Sequence, residues 1–148
     1  MGKNHSAQVI SRSFLDAVEQ FNRYDKKART FGTDHELFLA EIHLIDFIGR
    51  SEDCCISDIA KSLHVTKGAV SQMVKKLERK GYLAKAGDPE NRVRVIVQLT
   101  QKGGRAFREH RRYHRELDEK ISAVLKDYDE GQQLTIERFL RQIQKAWR

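Results

Sequence analysis

The apolar positions of this chain fall into helical stripes at both ends, with a shorter mixed pattern between them. Val9, Ile10, Phe14, Leu15, Val18 and Phe21 recur at helical spacing and predict an amphipathic N-terminal helix. A second helix is expected from about Asp34 to Ile48, opened by a capping box at Thr33 and Glu36. Ser57 to Thr66 reads as a short helix, a tight turn and a new helix start, and Lys67 to Lys80 as the helix that follows, ended by Gly81. Ala69, Val70, Met73, Val74 and Leu77 share one face of that helix, while Lys67, Ser71, Gln72, Lys75, Lys76 and Arg79 share the other.

The period then changes. Tyr82 to Lys85 reads as a strand and Gly87-Asp-Pro-Glu-Asn91 as turn chemistry. Val93, Val95, Val97 and Leu99 alternate with Arg94, Ile96 and Gln98, as in a half-buried second strand. Thr100 caps a long helix reaching about Lys126, a break follows at 127–130, and a last helix carries Leu134, Phe139, Leu140, Ile143 and Trp147. The predicted fold is therefore mainly α with a small β-hairpin wing, a winged helix–turn–helix flanked by helices. Adjacent Cys54 and Cys55 precede it, where a short strand is expected to pair with the wing; vicinal cysteines rarely form a structural disulfide, so buried thiols in a reducing compartment are expected rather than a redox sensor.

Charge gives the middle segment a function. The chain carries +7, and between Thr66 and Arg94 eight basic residues face three acidic ones, a surplus of five. Such a surface attracts the phosphate backbone of double-stranded DNA without specifying sequence. Base contacts concentrate near the start of a recognition helix, which points to Lys67, Ser71 and Gln72, with Thr66 beside them and Gly68 permitting close backbone approach. Lys75, Lys76 and Arg79 are expected at phosphates. Arg92 and Arg94 at the wing suit either a narrow minor groove or phosphates, and the sequence leaves the two readings open.

The 148 residues suit one domain, with 5–30 and 103–147 as dimerisation helices around a winged helix–turn–helix at 34–102. Terminal helices with apolar stripes need a partner, which predicts a homodimer. The chain shows neither a membrane-length apolar run nor a signal peptide, so no membrane partner and a cytoplasmic location are expected. It also lacks a His-Glu-x-x-His, a phosphate-binding glycine loop and a Gly-x-Ser-x-Gly, so it is not expected to be an enzyme.

A winged helix with Asp88-Pro-Glu-Asn-Arg92 before a strand ending Leu99-Thr100-x-x-Gly103 resembles the MarR family of bacterial and archaeal regulators, over nearly the whole chain. It departs at the wing tip, where the family usually has Asp-x-Arg and this chain has Asn91-Arg92-Val93, with Arg94 one step on. The resemblance implies a sequence-specific transcriptional regulator, a repressor, whose dimer presents two recognition helices to a pseudo-palindromic site.

The effector is a separate question. His110 and His114 stand at i and i+4 of the long helix, a spacing that chelates a metal and equally suits a solvated basic face beside Arg108, Arg111, Arg112 and Arg115. Resemblance to the zinc-responsive branch of the family implies zinc, acting as corepressor, with Asp25, His43, His110 and His114 as ligands and Asp25 in place of the branch's usual Glu. That branch has a secondary site using a cysteine and two glutamates; Glu41 and Glu109 occupy similar positions, and with no cysteine between Asp25 and Glu41, His35 is the substitute on offer. The alternative effector is a small aromatic or phenolic ligand in the same cleft, near Tyr24, Phe31 and Phe47.

Overall fold

The side chains of Ile45, Ile59, Val74, Leu77 and Tyr82 expose essentially no surface, and these five residues come from four successive segments of the chain. Burying each such side chain stabilises the fold by about 1.5–3 kcal/mol, so this convergence sets the architecture. The computed structural model describes residues 2–88 and 95–147, with side chains from Ser6 onward in the first helix. In chain order it has α1 (Gly2–Asp25), α2 (Leu39–Arg50), α3 (Ile56–Leu63), α4 (Lys67–Arg79), β1 (Leu83–Gly87), β2 (Val95–Leu99), α5 (Gln101–Leu125) and α6 (Glu130–Ala146). The mainly helical fold with one hairpin agrees with the pattern read from the sequence. These residues divide into two compact units, one ending at His110 and one beginning at Arg111.

The first unit contains the winged helix–turn–helix. His64 adopts the left-handed conformation (φ 53°) after α3, which turns the chain sharply enough for Thr66 to start α4. Gly81, at φ +80°, reverses the chain after α4, as its position in the sequence predicted. β1 and β2 pair antiparallel from Leu83 opposite Leu99 to Gly87 opposite Val95. The Cys54–Cys55 segment pairs with β2 as expected, Val97 N–H donating to the Cys54 carbonyl at 2.9 Å and Cys55 bridging to Ile96. Gly103, in the first turn of α5, lies so close to the hairpin base that a Cβ there would fall 2.1 Å from the Tyr82 carbonyl oxygen.

Three local expectations are corrected. α2 begins at Leu39, not near Asp34, and no capping box forms at Thr33 and Glu36. Arg29 and Leu37 instead exchange backbone hydrogen bonds at 3.2 and 2.9 Å across a turn with positive φ at Phe31 and Gly32, which carries Leu37 into the core in extended form. Glu41 closes the helix start by accepting the Phe38 N–H at 2.9 Å. β1 begins at Leu83, one residue later than expected. The alternation of β2 also fails at its start, because Ile96 is buried beside Cys55 while Val95 is exposed. A third segment pairing on that edge buries the face that a two-stranded reading assigns to solvent.

In the second unit Asp129 caps α6 with a reciprocal box, its carboxylate accepting the Gln132 N–H at 2.9 Å and its own N–H donating to Gln132 Oε1 at 2.9 Å. Gln133 donates to the carbonyls of Leu125 and Tyr128, fixing the turn between the helices. Ile121, Val124, Leu134, Leu140 and Trp147 remain exposed in this unit, as do Val9, Ile10, Leu15 and Phe21 on α1 in the first.

Candidate nucleic-acid interface and effector site

α4 turns Val70, Val74 and Leu77 inward and exposes Lys67, Gly68, Gln72, Lys75, Lys76 and Arg79, with Ser71 half-buried. The polar face is the one expected; on the apolar face Ala69 proves exposed and Met73 only half-buried. Thr66 has a structural task, its Oγ1 accepting the Ala69 N–H at 3.1 Å and capping the helix. Lys85 of β1 pairs with Glu78 of α4 at 2.8 Å, fastening the wing to this helix. Arg92 and Arg94 lie outside the described residues.

The lysines of the last turns of α4 do something the sequence did not reveal. Glu41 is buried, and its Oε1 accepts from Lys76 Nζ at 2.9 Å and from Lys80 Nζ at 3.0 Å. Burial alone pushes the Glu41 carboxyl up, but the Phe38 N–H and the two ammonium groups outweigh it and hold the group below the usual carboxylate range. One signal was available: Glu41 falls in helical register with Ile45 and Ile48, an acid on the buried stripe of α2. Nearby, Lys102 Nζ meets Asp34 Oδ1 at 2.6 Å and His35 Nδ1 at 2.8 Å, and lies over the Tyr82 ring at 4.4 Å from its centroid. The hydrogen bond from Lys102 lowers the Asp34 carboxyl to about 2.

Of the metal candidates, the structure brings His43 and His110 together. Their ring centroids are 5.8 Å apart with planes inclined at 59°. His43 sits on the exposed side of α2, whereas His110 of α5 is buried, with Phe31 edge-on at 5.5 Å. Asp46, one turn after His43, has Oδ1 at 3.5 Å from His110 Nδ1 and Oδ2 at 2.7 Å from Arg50. Asp25 ends α1 half-buried, its backbone carbonyl accepting from Arg29 at 3.1 Å. His114 belongs to the second unit, where its ring stands 5.7 Å from that of Tyr113. Among the described residues no three His, Cys, Asp or Glu side chains stand together as a metal-binding group. The fit to zinc is thus two adjacent imidazoles rather than a closed site. The secondary trio is not assembled either: Glu41 is held by two lysines and His35 by Lys102.

Cys54 is buried, and desolvation raises its thiol pKa, the opposite of what a thiolate sensor needs. Its Sγ donates to the Val97 carbonyl at 3.6 Å. Cys55 caps α3 together with Asp58, whose carboxylate accepts the Cys55 N–H at 3.1 Å. No helix among the described residues is long and apolar enough to cross a membrane.

The sequence model of the MarR family matches residues 37–102. The chain is 23% identical to the helix–turn–helix-type transcriptional regulator YhjH of Bacillus subtilis, over 99% of this chain and 91% of that protein. Among solved structures it is similar to ZitR of Lactococcus lactis, described as a zinc-responsive MarR family member, with a TM-score of 0.78 and 19% identity, covering 96% of this chain and 99% of that one. It is also similar to FabT of Streptococcus pneumoniae in complex with DNA, with a TM-score of 0.70 and 26% identity, covering 97% and 96%.

Proposed function

We propose that this chain, whose residues 37–102 match the MarR family, is a DNA-binding transcriptional regulator rather than an enzyme, and that it acts as a homodimeric, cytoplasmic repressor whose grip on DNA is set by zinc. Support for a dimer comes from the uncovered apolar residues of α1 and α6, since stripes of this kind on terminal helices call for a partner surface. A two-fold dimer would set two α4 helices on half-sites about one turn of DNA apart. Lys67, Ser71 and Gln72 then read bases, while Lys75 and Arg79 meet phosphates together with the wing arginines Arg92 and Arg94.

The observation that carries the effector reading is the apposition of His43 on α2 and His110 on α5. Neutral imidazoles are good zinc donors, and two of them supply half of a four-ligand site. Asp25 and His114 are the further donors in this reading. Asp46, at the Nδ1 side of His110, would orient the ring as second-sphere carboxylates do for metal-bound histidines. The fold likeness to ZitR, a zinc-responsive regulator, points the same way. Bound zinc would supply a cross-link, and α2 and α5 are elements that such a link would fix. An effector shifts the balance between DNA-binding and released forms only by its difference in affinity for the two.

The test is fluorescence anisotropy on DNA from upstream of the protein's own gene, in chelator and again with micromolar zinc. Tighter binding with zinc is expected, lost in His43→Ala and His114→Ala while the dimer persists by light scattering. Equal affinity in both media would remove zinc. The effector would then be sought among small aromatic or phenolic ligands, for which Phe31, edge-on to His110, is the natural contact.

A further inference from the structure

Glu41 stands at the start of α2, nearly without exposed surface, and receives three charged or polar donors. Phe38 N–H takes Oε2 at 2.9 Å, and Lys76 and Lys80 share Oε1 at 2.9 and 3.0 Å. Lys76 lies in the last turn of the recognition helix and Lys80 is the residue that caps its end. Lys76 also crosses the Phe38 ring at 5.7 Å from its centroid, and Lys80 reaches the Glu36 carbonyl at 3.4 Å. A carboxylate out of water is costly unless compensated, so moving either lysine to a DNA phosphate would take one of its two counter-charges from this one.

We propose that Glu41 is a positioning residue for DNA recognition: it withdraws Lys76 and Lys80 from the phosphate backbone and pins the C-terminal turns of α4 to the start of α2. The inference rests on the DNA-binding reading and deepens it. Part of the basic charge that marks α4 in the sequence is committed to a buried carboxylate, even though the Lys76 side chain stays 48% exposed, which leaves Lys67, Lys75 and Arg79 as the uncommitted cations this helix offers to DNA. Indiscriminate attraction to any duplex falls accordingly, and the ratio of specific to random binding rises. The same arrangement explains why Glu41 is unsuited to a metal: an incoming cation would have to displace two ammonium groups.

Salt dependence reads the effect directly, because each phosphate neutralised adds about 0.9 to the slope of log K against log salt. The experiment compares the unaltered chain, Lys76→Ala, Glu41→Gln and the double variant on a random duplex and on operator DNA, between about 50 and 200 mM salt. Glu41→Gln is expected to bind random DNA more tightly with a slope steeper by about one to two units, and Lys76→Ala in that background to take about one unit away. In the unaltered background Lys76→Ala should flatten the slope by well under one unit. A loss of about one unit there, or no change of slope in a folded Glu41→Gln, overturns the proposal. Amine-reactive labelling without DNA decides the matter even if Glu41→Gln folds poorly: Lys76 and Lys80, whose ammonium groups are held by Glu41, should react more slowly than Lys75, and equal rates overturn it. Absence of any salt-sensitive binding by the unaltered chain would instead count against the DNA reading itself.

Discussion

Thr66 offers a way to separate what holds the recognition helix from what that helix holds. Its Oγ1 accepts the Ala69 N–H at 3.1 Å, satisfying one of the donors that a helix start leaves without an intrahelical partner. Ala69 is exposed, so water competes for this donor, and Thr66→Ala should cost about 0.5–1 kcal/mol, the lower half of the range for N-cap deletions. That is up to about fivefold in the unfolded fraction, and about 2–4 °C per kcal/mol in Tm for a chain of this size. The loss appears in urea unfolding without DNA and is insensitive to salt. If Thr66 also touches a phosphate, its removal weakens DNA binding beyond the stability loss. Thr66→Ser should restore both properties. Thr66→Asp should keep the cap while repelling phosphate, so stability stays near that of the unaltered chain and DNA affinity drops. Unchanged stability in Thr66→Ala would refute the capping role. Undiminished DNA affinity in Thr66→Asp would refute the approach of the α4 N-terminus to the phosphate backbone.

The adjacent glycines of α5 should respond oppositely to alanine. At Gly103 the new methyl would meet the Tyr82 carbonyl oxygen at 2.1 Å, and the backbone there cannot rotate away, so destabilisation of about 1–3 kcal/mol is expected. At Gly104 the nearest atom is an Arg108 guanidinium nitrogen at 3.4 Å, the end of a flexible side chain, and Gly104→Ala should stabilise the helix by about 0.5–1 kcal/mol. Urea midpoints that move together would contradict the close approach of α5 to the hairpin. Acid unfolding tests the Lys102 hub. Asp34 is held at about 2 against the ordinary 3.8 of its carboxyl, so its contribution is present above the unfolded pKa and is lost as pH falls through the folded one. The stability gap between the unaltered chain and Asp34→Asn should therefore hold above about pH 4 and close between about pH 4 and 2; a gap that stays constant through that window would contradict the pairing.

Much of this molecule can be read along the chain because its signals are local. The inward face of α4, with Val70, Val74 and Leu77, follows from a period of 3.6, and its basic outer face follows from the same count. Gly81 and the Cys54 segment were legible for similar reasons, one as a left-handed stop and one as a short stretch before a strand-rich region. The start of α2 was not, because the bond pair between Arg29 and Leu37 competes with helix formation and depends on the core that Leu37 enters. Ile96 likewise owes its burial to a strand that arrives from elsewhere in the chain.

The candidate sites divide in the same way. Composition and periodicity mark which residues are able to bind DNA or a metal, since charge and ligand chemistry belong to each side chain. Which of them meet is a matter of how helices distant in sequence pack. That packing sets His43 against His110, and it pairs Lys76 and Lys80 with the buried carboxylate of Glu41. Periodicity determines the face of an element on which a residue lies, while the partner on the opposing element is chosen only when the two surfaces come together and every buried charge has to find its counter-charge.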